Sequence, residues 1–308
     1  MTWLAARTEV VQCPQGRGAL SPELLGAADA LVVRTYTQVD ESLLQAAPAL
    51  QVVGRAGVGL DNIDLEACRR RGVAVVYSPD ANTAAVAEYV TALILDAMRP
   101  RLDLKAPVDA ATFHRHRREL VGTQLDTLTL GILGFGRIGR RLGRIAGALG
   151  MKVLACDLLS ESQLRAQTEV AFEYVDRDAL LARSDVLSVH VDGRPANRGL
   201  IERRTLAALK PTCLLINTSR GMVVEADALA GWAAEVAPSG GRAVLDVLDP
   251  EPPPPPGAEN PCPLFGLPNV RLLPHIASRT RQAMQNMSWV VKDVWEVLEG
   301  REPTHRAE

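Results

Sequence analysis

The sequence has little of what marks secreted, metal-binding or membrane proteins. Its five cysteines are scattered, odd in number and without a Cys-x-x-Cys pair, which predicts free thiols in a reducing compartment and no disulfide framework. His and Cys residues never cluster at ligand spacing, so we expect no metal site. No apolar run reaches transmembrane length, and no signal-peptide pattern opens the chain. These absences together predict a cytoplasmic protein with no membrane partner.

An excess of charge of either sign is also lacking. The formal net charge of the 308 residues is −2, which gives no overall attraction to nucleic acid or to an anionic membrane. The densest basic run, residues 114–118, is local, and it fits either a solvated helix face or a site for an acidic substrate. With 47% hydrophobic residues, the chain is long enough for about two globular domains.

Short apolar runs alternate with helix-patterned segments along most of the chain. The pattern predicts buried parallel strands at residues 30–33, 50–53, 73–77, 152–155, 186–190, 213–216, 243–245 and 270–272. Helices are expected at residues 42–47, 65–71, 83–98 and 281–299. This alternation predicts an α/β fold with two doubly wound parallel-sheet domains.

A glycine pattern stands in the middle of the chain. An apolar run ending at Leu133 leads into Gly134-x-Gly136-x-x-Gly139, and a helix-like stretch follows. Backbone N–H groups at such a helix start suit a pyrophosphate, and the three glycines permit the turn, the approach of the phosphates and close helix–strand packing. A glycine-rich structural turn is the alternative interpretation.

The acid expected downstream of such a turn is present. Asp157 ends a second apolar run 18 residues after Gly139, where a carboxylate accepts hydrogen bonds from the adenosine ribose and repels a 2′-phosphate. No Arg or Lys follows it immediately, which favours NAD over NADP. The predicted cofactor-binding residues of this half are Gly134, Phe135, Gly136, Arg137, Ile138, Gly139 and Asp157.

Four polar residues follow later strands: Arg220, Asp246, Glu251 and His275. The carboxyl ends of parallel strands share one edge of a sheet, so these side chains can converge on the crevice that holds the dinucleotide. Each alone is more simply explained as a surface or capping residue. Together they fit hydride chemistry on a 2-hydroxy acid, because a guanidinium binds a carboxylate, an imidazole exchanges a proton with an alcohol, and a carboxylate orients the imidazole.

The chain resembles the D-isomer-specific 2-hydroxyacid dehydrogenase family from about Val10 to its C-terminus. The matching segments are residues 53–64, the glycine pattern, 217–221, 245–247 with 251–252, and 274–277. The resemblance implies that Arg220 binds substrate and that His275 with Glu251 is the acid/base pair. It also implies that Thr218 and Asp246 contact the cofactor and that N–H groups around Val58 and Gly59 hold the substrate carboxylate.

Within the family, the first domain is most similar to D-3-phosphoglycerate dehydrogenases. The similarity implies further substrate contacts from Arg34, Arg55 and an arginine near Arg117, and it favours 3-phosphoglycerate and its 2-oxo acid as substrates. Hydroxypyruvate or glyoxylate reduction is the alternative within the class. An NAD-sensing co-regulator without catalysis and a drifted relative without function are the alternatives outside it.

The resemblance also implies the domain organisation. We expect a Rossmann NAD-binding domain at residues 100–279, inserted into a flavodoxin-like substrate domain at 1–99 and 280–308, and a homodimer. Two departures from the family pattern accompany it. An expected opening strand before Val10 is missing, which suggests an upstream start, and Asp192 stands where proline is usual, which suggests weaker NAD binding.

Overall fold

The chain divides into two compact units in the computed structural model, which describes residues 2–13, 21–255 and 257–307. The first unit comprises Met1–Asn82 and Ser278–Glu308, and the second comprises Thr83–Ala277. Two passages of the chain therefore connect the units.

The first unit contains, in its described residues, a three-stranded parallel sheet in the order β1-β2-β3. Its strands are β1 (Ala30–Val33), β2 (Val52–Arg55) and β3 (Ala74–Tyr77), and its first helices are α1 (Thr2–Ala5), α2 (Pro22–Gly26), α3 (Glu41–Ala46) and α4 (Leu65–Arg70). Ser21, Asp40 and Asp64 fix the starts of α2, α3 and α4, because each side chain accepts a hydrogen bond from the N–H three residues on.

The second unit contains, as far as the chain is described, a seven-stranded parallel sheet in the order β10-β9-β8-β7-β4-β5-β6. Its strands are β4 (Thr129–Leu133), β5 (Lys152–Cys156), β6 (Glu173–Tyr174), β7 (Val186–Val189), β8 (Leu214–Asn217), β9 (Arg242–Leu245) and β10 (Val270–Leu272). The accompanying helices are α5 (Thr83–Met98), α6 (Ala110–Glu119), α7 (Arg137–Ala148), α8 (Glu161–Arg165), α9 (Arg177–Arg183), α10 (Arg203–Ala207) and α11 (Ala226–Val236). The predicted α/β fold with parallel sheets is confirmed.

Alternating side chains of the central strands fill two hydrophobic cores, one on each face of the larger sheet. Leu214 and Ile216 of β8 lie in one core, whereas Leu215 between them lies in the other. This two-residue period is what a strand buried on both faces requires. The strand order reverses between β4 and β7, which opens a crevice at the carboxyl ends of these strands.

The helix α5 belongs to the second unit, because its apolar residues Val86, Val90 and Ile94 lie in the first of these cores. The boundary expected between residues 99 and 100 would have left this helix in the first unit. Apolar spacing alone does not show which of the two sheets a helix covers.

The chain returns to the first unit as α12 (Arg281–Ser288) and α13 (Val290–Leu298). A single helix over 281–299 was expected, but the amide of Trp289 bonds to the carbonyl of Asn286, three residues back, and the tighter turn divides the helix. Gly54 in β2 lets α13 approach, because a Cβ there would lie 2.4 Å from Cγ2 of Val294.

None of the helices in the part of the chain that the structure describes is both long and apolar enough to span a bilayer. Likewise, no group of three or more His, Cys, Asp or Glu side chains in the described ranges is placed to hold a metal ion.

Candidate active site

The glycine turn between β4 and α7 is shaped by close backbone contacts. Gly134 has a φ of 91°, and a Cβ there would lie 2.8 Å from the carbonyl carbon of His190. A Cβ on Gly139 would lie 2.5 Å from the carbonyl oxygen of Gly134. Glycine is therefore the residue that fits both positions without displacing the surrounding backbone.

Gly136 differs from the other two glycines. A Cβ built on it meets nothing within 4 Å, and its φ of −72° suits any residue. It is the N-cap of α7 and provides no side-chain hydrogen bond to the first helical turn. Open space thus lies over backbone N–H groups at a helix start, and this arrangement fits a dinucleotide pyrophosphate.

Asp157 lies beside this turn, directly after β5. Its Oδ2 accepts a hydrogen bond of 2.6 Å from the amide of Phe135, and its Oδ1 accepts one of 3.0 Å from the amide of Leu159. The carboxylate is thereby fixed against the glycine turn, where the adenosine ribose of a dinucleotide would be recognised.

Thr218 supplies a further observation that fits a cofactor. It directly follows β8, and its Oγ1 is buried without a hydrogen-bond partner within the described ranges. An orphaned buried hydroxyl costs about 1–3 kcal/mol unless something satisfies it. A ligand group at the carboxyl edge of the sheet would supply that partner.

His275 and Glu251 form a close pair within the second unit. The Nδ1 atom of His275 lies 2.7 Å from Oε1 of Glu251, and the two side chains are 32% and 28% exposed. The pairing leaves Nε2 as the ring nitrogen that can exchange a proton with a substrate. His275 also has a φ of 54°, a left-handed value found at no other non-glycine residue in the described chain.

Asp246, at the end of β9, holds the backbone next to His275. Its Oδ1 accepts from the amide of Ile276 at 2.9 Å, and its Oδ2 accepts from the amide of Ala277 at 2.7 Å. The side chain is fully buried, and burial raises its pKa, although these two N–H groups oppose the rise. This bracing was not foreseen from the sequence, where only a cofactor contact was predicted for Asp246.

Arg220 is carried by a loop that Asn217 folds. The amide oxygen of Asn217 accepts from both the backbone N–H and the hydroxyl of Ser219, and its amide nitrogen donates to the carbonyl of Arg220. A Cβ on Gly221 would lie 2.0 Å from the carbonyl carbon of Leu248, so only glycine allows the next turn to pack. Sequence reasoning assigned no role to Asn217; its place at the end of a buried strand was the available signal.

The residues predicted to bind substrate in the first unit form a cluster of their own. Asn62 joins them, because its amide nitrogen donates to the carbonyl of Arg34 and its Oδ1 accepts from Nε of Arg55. Arg55 is buried and also donates to the Ala56 carbonyl and to Thr35, whereas Arg34 is exposed. Val58 and Gly59 lie partly buried in the same loop.

Arg117 lies in the second unit, on α6. None of the residues of this helix is buried, and the guanidinium-bearing side chain is exposed. The position agrees with the solvated helix face considered for the basic run, and a role of Arg117 in binding phosphate stays a prediction.

Comparison with known proteins identifies the family. The model for the NAD binding domain of D-isomer specific 2-hydroxyacid dehydrogenases matches residues 91–277. The chain belongs to this family. Its cofactor is NAD. The glycine turn, Asp157 and Thr218 of the second unit are suited to hold it.

Curated relatives and solved structures extend the match over most of the chain. D-3-phosphoglycerate dehydrogenase of Synechocystis sp. is 38% identical over 88% of this chain and 47% of its own length. Glyoxylate reductase of Thermococcus litoralis is 36% identical over 89% of this chain and 81% of its own. D-Lactate dehydrogenase of Aquifex aeolicus, solved with NAD and lactic acid, has a TM-score of 0.77 and 28% identity over 92% of this chain and 87% of its own.

The chain spans about half the length of the D-3-phosphoglycerate dehydrogenase that it matches. The relatives also differ in the acid that their names specify, a phosphorylated one in the first case and glyoxylate in the second. Membership of the family therefore fixes the cofactor and leaves the acid substrate to be proposed.

Proposed function

We propose that this protein is an NAD-dependent dehydrogenase that interconverts a small D-2-hydroxy acid and the corresponding 2-oxo acid. The observation that carries the proposal is the contact of 2.7 Å between Nδ1 of His275 and Oε1 of Glu251. An imidazole oriented by a carboxylate beside a nicotinamide site is equipped for proton transfer to and from an alcohol.

The hydrogen bond between His275 and Glu251 determines which ring nitrogen exchanges a proton with the substrate. An ionised Glu251 accepts a hydrogen bond from Nδ1–H, which leaves Nε2 of a neutral His275 as a base that takes the hydroxyl proton during oxidation. In the reverse direction, the protonated ring returns that proton to the oxygen of the 2-oxo acid. When NAD is bound, it supplies the hydride acceptor.

Arg220 provides the positive charge for the substrate. Its Nη1 donates to the carbonyl of Ser219 at 2.8 Å, and Asn217 fixes the loop on both sides of that contact. A guanidinium held in this way suits the planar carboxylate and the adjacent carbonyl of a 2-oxo acid. We also propose substrate roles for Arg34, Arg55, Val58 and Gly59 in the first unit, and for Arg117.

The favoured acid is 3-phosphoglycerate, because the proposed arginines Arg34, Arg55 and Arg117 offer the positive charge that a phosphorylated acid needs. Similarity to D-3-phosphoglycerate dehydrogenases supports this choice. Glyoxylate or hydroxypyruvate reduction is the second candidate, favoured by a glyoxylate reductase whose length the chain covers more completely.

The test is NADH oxidation with phosphohydroxypyruvate, hydroxypyruvate, glyoxylate and pyruvate at equal concentrations. We expect the first to give the highest kcat/KM, and we expect His275→Asn to lower kcat by about 10²- to 10⁴-fold. His305→Asn is the matched control, since His305 also pairs with a carboxylate, that of Asp293 in the first unit, at 3.0 Å. NADH binding without turnover of any acid would instead support a co-regulator.

We further propose a homodimer. The segment from residue 102 to 121 exposes six large apolar side chains in or next to α6: Leu102, Leu104, Val108, Phe113, Leu120 and Val121. A concentration of exposed apolar area of this kind is typical of a protein interface. Sedimentation velocity of the wild type and of a Phe113→Glu, Val121→Glu variant tests the proposal; a monomeric wild type would contradict it.

A further inference from the structure

The loops that carry Arg220 and Glu251, after β8 and β9, pack against each other. A Cβ on Gly221 would lie 2.0 Å from the carbonyl carbon of Leu248 and 2.6 Å from the amide nitrogen of Asp249. The residue next to Arg220 therefore lies against the backbone two to three residues before Glu251. The distance between the substrate arginine and the carboxylate depends on what holds each loop in place.

The loop that leads to Glu251 has little backbone support of its own. As far as the chain is described, none of residues 247–252 takes part in a backbone–backbone hydrogen bond. Val247, Leu248 and Asp249 also line a cavity of about 330 Å³, which leaves part of the loop without packing contacts on that side. The position of Glu251 therefore depends on side-chain contacts.

Arg198 supplies one of these contacts. Its Nη1 donates to Oδ2 of Asp249 at 2.8 Å, two residues before Glu251. Pro250 lies between the two acids, and because its ring fixes φ, that rotation cannot absorb a displacement of Asp249 before it reaches Glu251. The carboxylate of Glu251 in turn contacts Nδ1 of His275 at 2.7 Å. The ion pair thus lies one short, stiff segment away from the acid/base pair.

The backbone next to Arg198 is fixed to the loop of the substrate arginine. The amide of Gly199 donates to the carbonyl of Met222 at 2.9 Å, and the amide of Ile201 donates to the carbonyl of Val223 at 2.9 Å. These two carbonyls lie two and three residues after the substrate arginine. Arg198 therefore connects the segment that follows this arginine with the segment that precedes the carboxylate of the acid/base pair.

We propose that Arg198 is a positioning residue for the reaction, because it holds Asp249 and thereby Glu251. The carboxylate is then kept against the imidazole of His275, at a fixed distance from the loop of the substrate arginine. The inference rests on the proposed dehydrogenase function. The side chains of the ion pair are 65% and 41% exposed, and exposed pairs add little to the free energy of unfolding. Loss of the pair should therefore change the geometry of the site more than the stability of the fold.

Steady-state kinetics with the acid that the wild type turns over fastest test the inference. We expect Arg198→Ala to lower kcat about 5- to 20-fold, because a misplacement of about 1 Å in a site can cost about 100-fold. The Kd for NADH should stay within about twofold, and the Tm within about 3 °C. Arg198→Lys should retain about half of the wild-type kcat, since it keeps the charge that pairs with Asp249.

A second measurement separates the positioning of Glu251 from a general structural role. In a Glu251→Ala background, the loss caused by Arg198→Ala should shrink to less than about twofold, because the carboxylate that Arg198 positions is already gone. Arg183→Ala is the matched control. Arg183 forms an exposed ion pair with Glu173 at 2.7 Å, at the β6 end of the same sheet, and its loss should leave kcat unchanged.

The inference would be overturned by an unchanged kcat in Arg198→Ala, by an equal loss in the wild-type and Glu251→Ala backgrounds, or by a loss that Arg198→Lys does not restore in part. A decrease in Tm of more than about 5 °C in Arg198→Ala would also overturn it, in favour of a structural role. A wild type that binds NADH and turns over none of the acids would overturn the proposed function and this inference together. Turnover by the wild type with an unaffected Arg198→Ala variant would overturn this inference alone.

Discussion

Replacing Gly136 and Gly139 one at a time with alanine separates the two interpretations of the glycine turn, a phosphate cradle and a structural turn. The same methyl group is added three residues apart, but its surroundings differ. At Gly136 it enters open space over the start of α7, whereas at Gly139 it would lie 2.5 Å from the carbonyl oxygen of Gly134 and 3.0 Å from Cγ2 of Ile132.

The expected stabilities follow from those distances. At Gly136, the weaker N-cap propensity of alanine costs about 0.5–1 kcal/mol, and the lower entropy of the unfolded chain returns about 0.4–1 kcal/mol. The free energy of unfolding should therefore stay nearly constant. At Gly139, the backbone contact forces helix and strand apart, at a cost of about 1–3 kcal/mol. That cost corresponds to a decrease in Tm of about 2–10 °C.

Dinucleotide binding should change in the opposite order. A methyl group on Gly136 holds the pyrophosphate away from the N–H groups of the turn, and the loss of one or two hydrogen bonds to a charged group is worth about 1.5–3 kcal/mol. The Kd for NADH should rise about 10- to 100-fold in Gly136→Ala. Thermal unfolding and isothermal titration of both variants give the two quantities independently.

Two results would refute this reasoning. If Gly136→Ala binds NADH as the wild type does, the open space over α7 is not the phosphate site, and the structural-turn interpretation stands. If Gly136→Ala lowers Tm as much as Gly139→Ala, the distances around the turn do not control its stability. Gly231→Ala is a control for the general effect of the substitution, because this glycine lies within α11 with nothing within 4 Å of its would-be Cβ.

Three further predictions concern other parts of the chain. Gly221→Ala should lower kcat/KM by about 100-fold in steady-state assays, because the contact with Leu248 displaces the loop that carries the substrate arginine. Asp293→Ala should destabilise the first unit by about 1–3 kcal/mol in urea unfolding, since this buried carboxylate accepts hydrogen bonds from Thr304 and His305. Burial lowers the pKa of His190 from 6.5 to about 4. As the pH falls through this range, the imidazole is protonated in the unfolded chain before it is protonated in the folded one, so the free energy of unfolding decreases. His190→Asn should reduce that decrease in urea titrations at pH 7 and pH 4.5.

Much of the fold could be predicted from the sequence, because strands buried on both faces are short, continuous apolar runs. The runs at residues 30–33 and 270–272 coincide with β1 and β10, and the helix at 83–98 coincides with α5. The two-residue strand β6, Glu173–Tyr174, was missed because it is too short to show a period. Whether α5 belongs to the first or the second unit depends on contacts between distant residues, which no local pattern contains.

The residues of the candidate site could be predicted from the sequence, but the hydrogen bonds and ion pairs that position them could not. Arg220, Glu251 and His275 could be picked out because charged or titratable side chains a few residues after buried strands are conspicuous. The pairing of Asp192 with Arg194 could not, because a bidentate ion pair depends on a loop geometry that no spacing rule supplies. For the same reason, the sequence suggested that Asp192 would act as an unpaired charge.

The left-handed backbone of His275 shows why such supports are needed. A non-glycine residue at a φ of 54° costs about 1–3 kcal/mol, and it persists only where its surroundings hold it. The Asp246 carboxylate, whose own burial is unfavourable, accepts hydrogen bonds from the two backbone amides directly after His275. Asp246, at the end of β9, therefore stabilises the strained backbone that carries the imidazole. Glu251 has only to orient a ring whose backbone is already in place.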